Sequence, residues 1–340
     1  MPQPHRTPDR PTVGVADPGD VLRRATTAAG EQLSELQPLV GGMASLTYSA
    51  RTADGTRVVV KVAPPGLEPV RNRDVLRQAR VLRALAGVAD VAVPAVRGTD
   101  TGSPPGIPPL FVMDFVDGES YEPRHTAEGP RPPAGDVLAR AGAAARMLAA
   151  LHAVSPAALQ LDEPASTLET EVERWRKALA TCDLGATDRA AETEAHRRLL
   201  GAVPAPRGPS VLHGDWRLGN MQCDGPEVRA VIDWEIWSVG DPRLDLAWLR
   251  LMSDPAHPTA AAPDAPTLGP DELLAAYEEA AGAAVPDLAW FDALVRYKQA
   301  AASALLVKNA GRRGDTSPAV DRMRGGIDRL LDAALTRLPA

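Results

Sequence analysis

Two short stretches carry side chains that could do chemistry. Val211-Leu-His-Gly-Asp-Trp-Arg-Leu-Gly-Asn220 holds Asp215 and, five residues on, Asn220; Val231-Ile-Asp-Trp-Glu235 holds Asp233. Each begins as an apolar strand end and runs into a polar turn, which would place these side chains at the rim of a scaffold. In phosphoryl transfer a protein mainly positions groups and neutralises charge. It needs one carboxylate facing the acceptor hydroxyl and hard oxygen ligands for a divalent cation on the phosphates. Asp215 suits the first task, and Asn220 with Asp233 suits the second. His213 is read as orienting the loop through its ring nitrogens, and Asp245 as hydrogen-bonding backbone close to it.

The five-residue spacing from Asp215 to Asn220 is that of the protein-kinase pattern H-R-D-x-x-x-x-N, with Gly214 in place of Arg and Asp233-Trp-Glu in place of D-F-G. With Gly240-Asp-Pro-Arg-Leu-Asp245-Leu-Ala downstream, the chain resembles the aminoglycoside phosphotransferase and choline kinase-like family. Leu148-Ala-Ala-Leu-His152 and Gly240-Asp-Pro242 are similar to the branch associated with acyl-CoA dehydrogenases. The resemblance implies an α+β, protein-kinase-like two-lobe fold with a small antiparallel-sheet N-lobe and a larger, mainly helical C-lobe. It also implies ATP in the cleft, Mg²⁺ held by Asn220 and Asp233 with Glu235 assisting, and a hydroxylated small molecule as acceptor.

The elements before the catalytic stretch fit that layout. A helix is expected from about Asp20 to Ala29. Leu36 to Arg51 reads as strand, glycine turn, strand, and Asp54-Gly55 signals a hairpin into a third strand, Arg57 to Val62. Lys61 lies opposite Val60 and Val62 on that strand. By the resemblance Lys61 holds the ATP phosphates, and Gly41, Gly42 and Ser45 cover them, since backbone N–H groups approach phosphate closely only where side chains are small. Asn72 to Leu85 has helical periodicity, with Val75, Ala79, Leu82 and Leu85 on one face. Gln78 points inward where relatives carry the Glu that steadies the lysine, and Asp74 is a substitute partner one turn earlier. Val91–Val96 and Leu110–Val116 read as strands. Met113, Asp114, Phe115 and Val116 match the family's hinge, whose backbone would meet the adenine edge.

Helices are expected at 136–153, 167–180, 271–282, 287–310 and 318–337, with a turn at Gly311-Arg-Arg-Gly. His152 reads as a packed or capping residue, and Arg217 as a contact to phosphate or acceptor, or a solvated side chain. Between Leu251 and Val295 there are eight acids and no Lys or Arg; from Arg296 onward there are nine basic residues and four acids.

At 340 residues the chain is long enough for two lobes. The expected division is a disordered tail at 1–20, a nucleotide-binding lobe at 21–116 and a helical lobe at 117–340. A net charge of -7 argues against a nucleic-acid partner. No apolar run approaches the roughly 18 residues needed to span a bilayer, and the first twenty residues have no signal-peptide core, so a cytoplasmic monomer or homodimer is expected. Cys182 and Cys223 have neither framework nor metal-ligand spacing. The reading is therefore a Mg²⁺-dependent small-molecule kinase, or a pseudokinase of the same fold that binds without turnover; missing D-F-G and A-P-E motifs argue against a protein kinase.

Overall fold

The computed structural model describes residues 17–39 and 45–339. These form two compact units. One comprises the described residues up to Arg83 with Pro94–Phe115, the other Ala84–Val93 with the chain from Val116 onward. Residues 84–93, expected in the first lobe, thus group with the second unit. The Val231 N–H donates to the Ala92 carbonyl at 2.8 Å, a tie within that unit.

The first unit opens with α1 (Pro18–Ala29), two residues ahead of the expected start. Asp17 caps it by accepting from the N–H groups of Gly19 and Asp20, and Pro18 fits the first turn, where no N–H partner is needed. Residues 18–20 are therefore helical and not part of a tail, and 1–16 lie outside the described residues. Strands β1 (Leu33–Pro38), β2 (Leu46–Thr52), β3 (Arg57–Val62), β4 (Val96–Asp100) and β5 (Leu110–Asp114) form an antiparallel sheet in the order β1-β2-β3-β5-β4. Side chains alternate across a strand, so Val58, Val60 and Val62 join Leu110 and Val112 in a core closed by Val21 and Ala25 of α1. Lys61 takes the other face. The strand expected at Val91–Val96 instead begins at Val96. Pro94 has no N–H for a ladder, and 91–95 run as irregular chain. A 3₁₀ turn, Arg71–Arg73, precedes α2 (Val75–Leu85), which starts later than the periodicity suggested.

The second unit is mainly helical: α3 (Ala134–Ala153), α4 (Leu168–Ala180), α5 (Ala186–Gly201), α6 (Arg243–Met252), α7 (Pro270–Ala281), α8 (Leu288–Arg313), α9 (Pro318–Arg324) and α10 (Ile327–Leu335). Two strand pairs carry the functional stretches. These are β6 (Ser210–Leu212) with β9 (Ser238–Gly240), and the hairpin β7 (Met221–Asp224) with β8 (Glu227–Val231). Its core gathers Val172 and Leu179, Leu199, Leu251, Phe291 and Leu294, and Leu330 and Leu331 from α4, α5, α6, α8 and α10. Among the described residues no helix is long and apolar enough to cross a membrane.

Three helical expectations are corrected here. Helix α5 was not anticipated, because it is polar around most of its circumference and buries only Glu192, Ala195 and Leu199. The single helix at 318–337 is two, broken at Gly325-Gly326, where paired glycines are poor helix formers. The turn at Gly311 is absent: α8 continues through Arg313 and ends at Gly314, in the left-handed conformation that suits a helix C-cap.

Candidate active site

Strand β6 delivers the chain into a turn at Gly214, where φ is +85° and a Cβ would lie 2.9 Å from the Ile236 carbonyl oxygen, so only glycine fits without strain. Asp245, in the first turn of α6, pins this turn. One carboxylate oxygen accepts from the His213 N–H at 2.6 Å and the other from the Gly214 N–H at 2.9 Å. Burial would raise the Asp245 carboxyl, but His152, His213 and Lys298 hold it below its ordinary range. His152 lies 4.0 Å from Asp245 and bonds the Tyr277 hydroxyl at 2.9 Å, so it packs beneath the loop. His213 is fully buried, with Nε2 2.9 Å from the Ile232 carbonyl and Nδ1 accepting from the Asp215 N–H at 3.2 Å. Its ring stands edge-on to those of Trp216 and Trp234.

Asp215 emerges from this turn into a ring of donors. The Trp248 indole N–H reaches Oδ1 at 2.8 Å, the Asn220 amide N–H reaches Oδ2 at 2.8 Å, and Arg217 Nε lies 3.2 and 3.1 Å from the two oxygens. Burial pulls the proton affinity of this carboxyl up, and Arg217, Lys298, His213 and the Asn220 bond more than offset it, so the pKa is lowered. A carboxylate held this way is ionised and fixed in direction.

Asn220 ends the short 3₁₀ turn Leu218–Asn220, and its Nδ2 bond to Asp215 directs its amide oxygen elsewhere. The Asn220 carbonyl accepts from the Ile232 N–H at 2.9 Å, so Asn220 is stitched to the residue just before Asp233. Asp233 adopts φ +65°, a left-handed conformation that costs most L-residues roughly 1 kcal/mol and Asp less. Glu235 is half-buried in the turn Trp234–Ile236 that follows. Among the described residues no group of three or more His, Cys, Asp or Glu could hold a metal ion. A neutral amide oxygen and one carboxylate, joined through Ile232, nonetheless fit a cation such as Mg²⁺, which keeps several waters and takes other oxygens from phosphates.

In the first unit Lys61 is buried, and its ammonium donates to Gln78 Oε1 at 3.1 Å, the inward position expected for Gln78. Asp74 is committed to capping α2, accepting from the N–H groups of Leu76 and Arg77 at 3.0 and 3.1 Å. Ser45 is buried, its Oγ without a hydrogen-bond partner among the described residues; Gly41 and Gly42 lie outside them. Of the four hinge residues, Met113 pairs with Val59 and Val96, the Asp114 N–H donates to Ala95 and the Phe115 N–H to Arg57. The chain passes from one unit to the other between Phe115 and Val116.

Sequence reasoning missed three residues of the Asp215 environment. Trp248 and Lys298 lie in helices whose apolar periodicity hides them, and Glu122 falls in a loop with no motif. Glu122 accepts from the Gly219 N–H at 2.9 Å and lies 3.6 Å from Arg217, which thereby spans two carboxylates. A cavity of about 850 Å³ in the same unit, walled by α3 and α7 with Arg146, Arg207 and Tyr277, is lined by none of Asp215, Asn220 and Asp233.

The sequence model of the phosphotransferase enzyme family matches residues 35–294. Acyl-CoA dehydrogenase family member 10 of Mus musculus is 29% identical over 263 residues, covering 72% of this chain and 23% of that protein. Acyl-CoA dehydrogenase family member 11 of Homo sapiens is 30% identical over 203 residues, 57% of this chain and 25% of that protein. The chain thus spans about a quarter of the length of these curated relatives. Among solved structures, macrolide 2'-phosphotransferase MphH from Brachybacterium faecium superposes with a TM-score of 0.59 at 22% identity over 89% of this chain and 97% of its own. A thermostable aminoglycoside phosphotransferase APH(4)-Ia mutant, in ternary complex with ADP and hygromycin B, gives a TM-score of 0.59 at 17% identity over 92% and 98%. The two-unit architecture is therefore the kinase-like fold, and with the family match spanning most of its length, around an ordered His-Gly-Asp turn, the chain belongs to the phosphotransferase enzyme family.

Proposed function

We propose that this chain transfers the γ-phosphoryl group of ATP to a hydroxyl of a small molecule, with Asp215 as the base. The observation that carries the reading is the convergence of Trp248, Arg217 and Asn220 on the Asp215 carboxylate, with Asn220 joined through Ile232 to the residue before Asp233. In the transfer the acceptor oxygen bonds to γ-phosphorus, the bond from γ-phosphorus to the bridging oxygen breaks, and Asp215 takes the hydroxyl proton. The reaction needs no raised carboxyl pKa, because the proton is accepted late, as charge develops on the acceptor oxygen. Asn220 and Asp233 would hold Mg²⁺, whose chemistry is to neutralise charge on the phosphates. Lys61 is the proposed cation on those phosphates, Ser45 with Gly41 and Gly42 the loop over them, and the Met113–Val116 backbone the adenine contact. Arg217, which shares its charge between Asp215 and Glu122, is suited to pass to a phosphate oxygen when one arrives. The acceptor is a hydroxylated small molecule; a structural neighbour, aminoglycoside phosphotransferase APH(4)-Ia, forms a ternary complex with ADP and hygromycin B.

The test is Mg²⁺-dependent ADP release from ATP, screened over aminoglycosides, macrolides, sugars and hydroxyacyl thioesters. An acceptor-stimulated rate that falls at least ~100-fold in Asp215→Ala is expected; near-normal turnover in that variant rejects Asp215 as base. One observation favours a second reading, a pseudokinase that holds nucleotide without turnover: Lys61 meets the neutral amide of Gln78 where the family carries a Glu. Tight MgATP binding with no acceptor-stimulated release would put that reading first.

A further inference from the structure

Lys298 belongs to no motif and stands in the middle of α8, 84 residues beyond Gly214 in sequence, yet it is set directly against the catalytic loop. Its ammonium donates to the Gly214 carbonyl at 2.5 Å and lies 3.9 Å from the centre of the Trp248 ring. The same indole donates its N–H to Asp215 Oδ1 at 2.8 Å. One cation therefore bonds the loop backbone just before Asp215 and packs on the ring that orients the Asp215 carboxylate. We propose that Lys298 is a positioning residue for phosphoryl transfer, holding the Gly214 carbonyl and, through Trp248, the Asp215 carboxylate in the direction from which an acceptor proton is taken. The inference rests on the reading of Asp215 as base.

The surroundings explain why a cation is kept there. The charged groups facing Lys298 are Asp215 from the loop, Asp245 from α6, and Glu171 and Arg174 from α4; Trp175, also from α4, lies 5.7 Å away. Burial pulls the ammonium's proton affinity down, and Asp215, Asp245 and Glu171 act against that. Burial prevails and the pKa is lowered, while the indole face and the carboxylates oppose the loss of charge. In return the ammonium withdraws proton affinity from both carboxylates, so Asp215 stays available as an acceptor and Asp245 as a clamp.

The experiment compares Lys298→Met, Lys298→Arg and Trp248→Phe with wild type in two readouts. The first is MgATP turnover with water as acceptor. Lys298→Met is expected to lose roughly 10-fold or more in kcat with KM for ATP changed less than about 3-fold, while Lys298→Arg recovers most of the rate. The second readout is the Trp248 indole N–H signal in ¹H–¹⁵N NMR, assigned by its loss in Trp248→Phe. That signal should move in Lys298→Met, as the ring loses its cation, and return toward wild type in Lys298→Arg. Trp248→Phe keeps a ring for the ammonium and removes the N–H donor, so kcat falls there also. Unchanged kcat and indole signal in folded Lys298→Met overturn the proposal. Should Lys298→Met fail to fold, wild-type kcat in Trp248→Phe overturns it. If wild type turns over no MgATP with water, the indole signal decides the placement of Lys298, and the acceptor screen alone decides the kinase reading.

Discussion

At the scale of single residues, the site is governed by which charges are desolvated together. Glu122 is the clearest case. Burial pushes its carboxyl up to about 7, and Arg217 with the Gly219 N–H offsets this only in part. The folded state therefore holds a proton that the unfolded state releases above its ordinary value of 4.5, and stability is lost as pH rises from there to about 7. The span corresponds to on the order of 3 kcal/mol. The histidines run the other way. Burial lowers His125 to about 4 and His257 to about 3, so the unfolded state binds more protons below 6.5 and stability rises with pH up to that point. Glu122→Gln separates the two effects. Denaturant midpoints should show the variant gaining on wild type between pH 5 and 7 and level above, whereas parallel profiles would mean that Glu122 does not titrate in this window.

Elements matter here for the precision with which they end. Strand β6 stops where Gly214 can turn, α6 begins where Asp245 can catch two amides of that turn, and the 3₁₀ turn before β7 closes on Asn220. Gly219 inside that turn shows how tight the fit is. A Cβ there would lie 2.1 Å from Arg217 Nη1 and 3.2 Å from the Glu122 Cβ. The guanidinium is the flexible partner and must give way, so Gly219→Ala should fold yet pull Arg217 off Asp215. The expected result is a kcat lowered roughly 10-fold with the thermal midpoint shifted by only a few degrees. A variant with wild-type kcat would show that the Arg217–Asp215 contact has no part in turnover.

On the scale of the whole molecule, the second unit draws its stability from helices distant in sequence, and α10 closes its core. Leu330 is fully buried among side chains of α5 and α8, so Leu330→Ala should cost about 2–5 kcal/mol by transfer and cavity terms together, measured by denaturant unfolding. A loss under about 0.5 kcal/mol would mean that α10 is not integral to this core. The antiparallel sheet, the inward Lys61 and Gln78, and the His-Gly-Asp turn with its Asn and second Asp were legible in the sequence, because alternation, helical period and short-range spacing are local properties of the chain. The strand misplaced by Pro94, the unread polar helix α5 and the break at Gly325-Gly326 were not, since each depends on which partner a segment meets. The sequence by itself determined the family and the spacing of Asp215, Asn220 and Asp233. Only the tertiary structure decided what surrounds Asp215: Trp248, Lys298 and, through Arg217, Glu122 arrive from separate elements, and long-range packing brings them to one carboxylate without leaving a pattern in the linear chain.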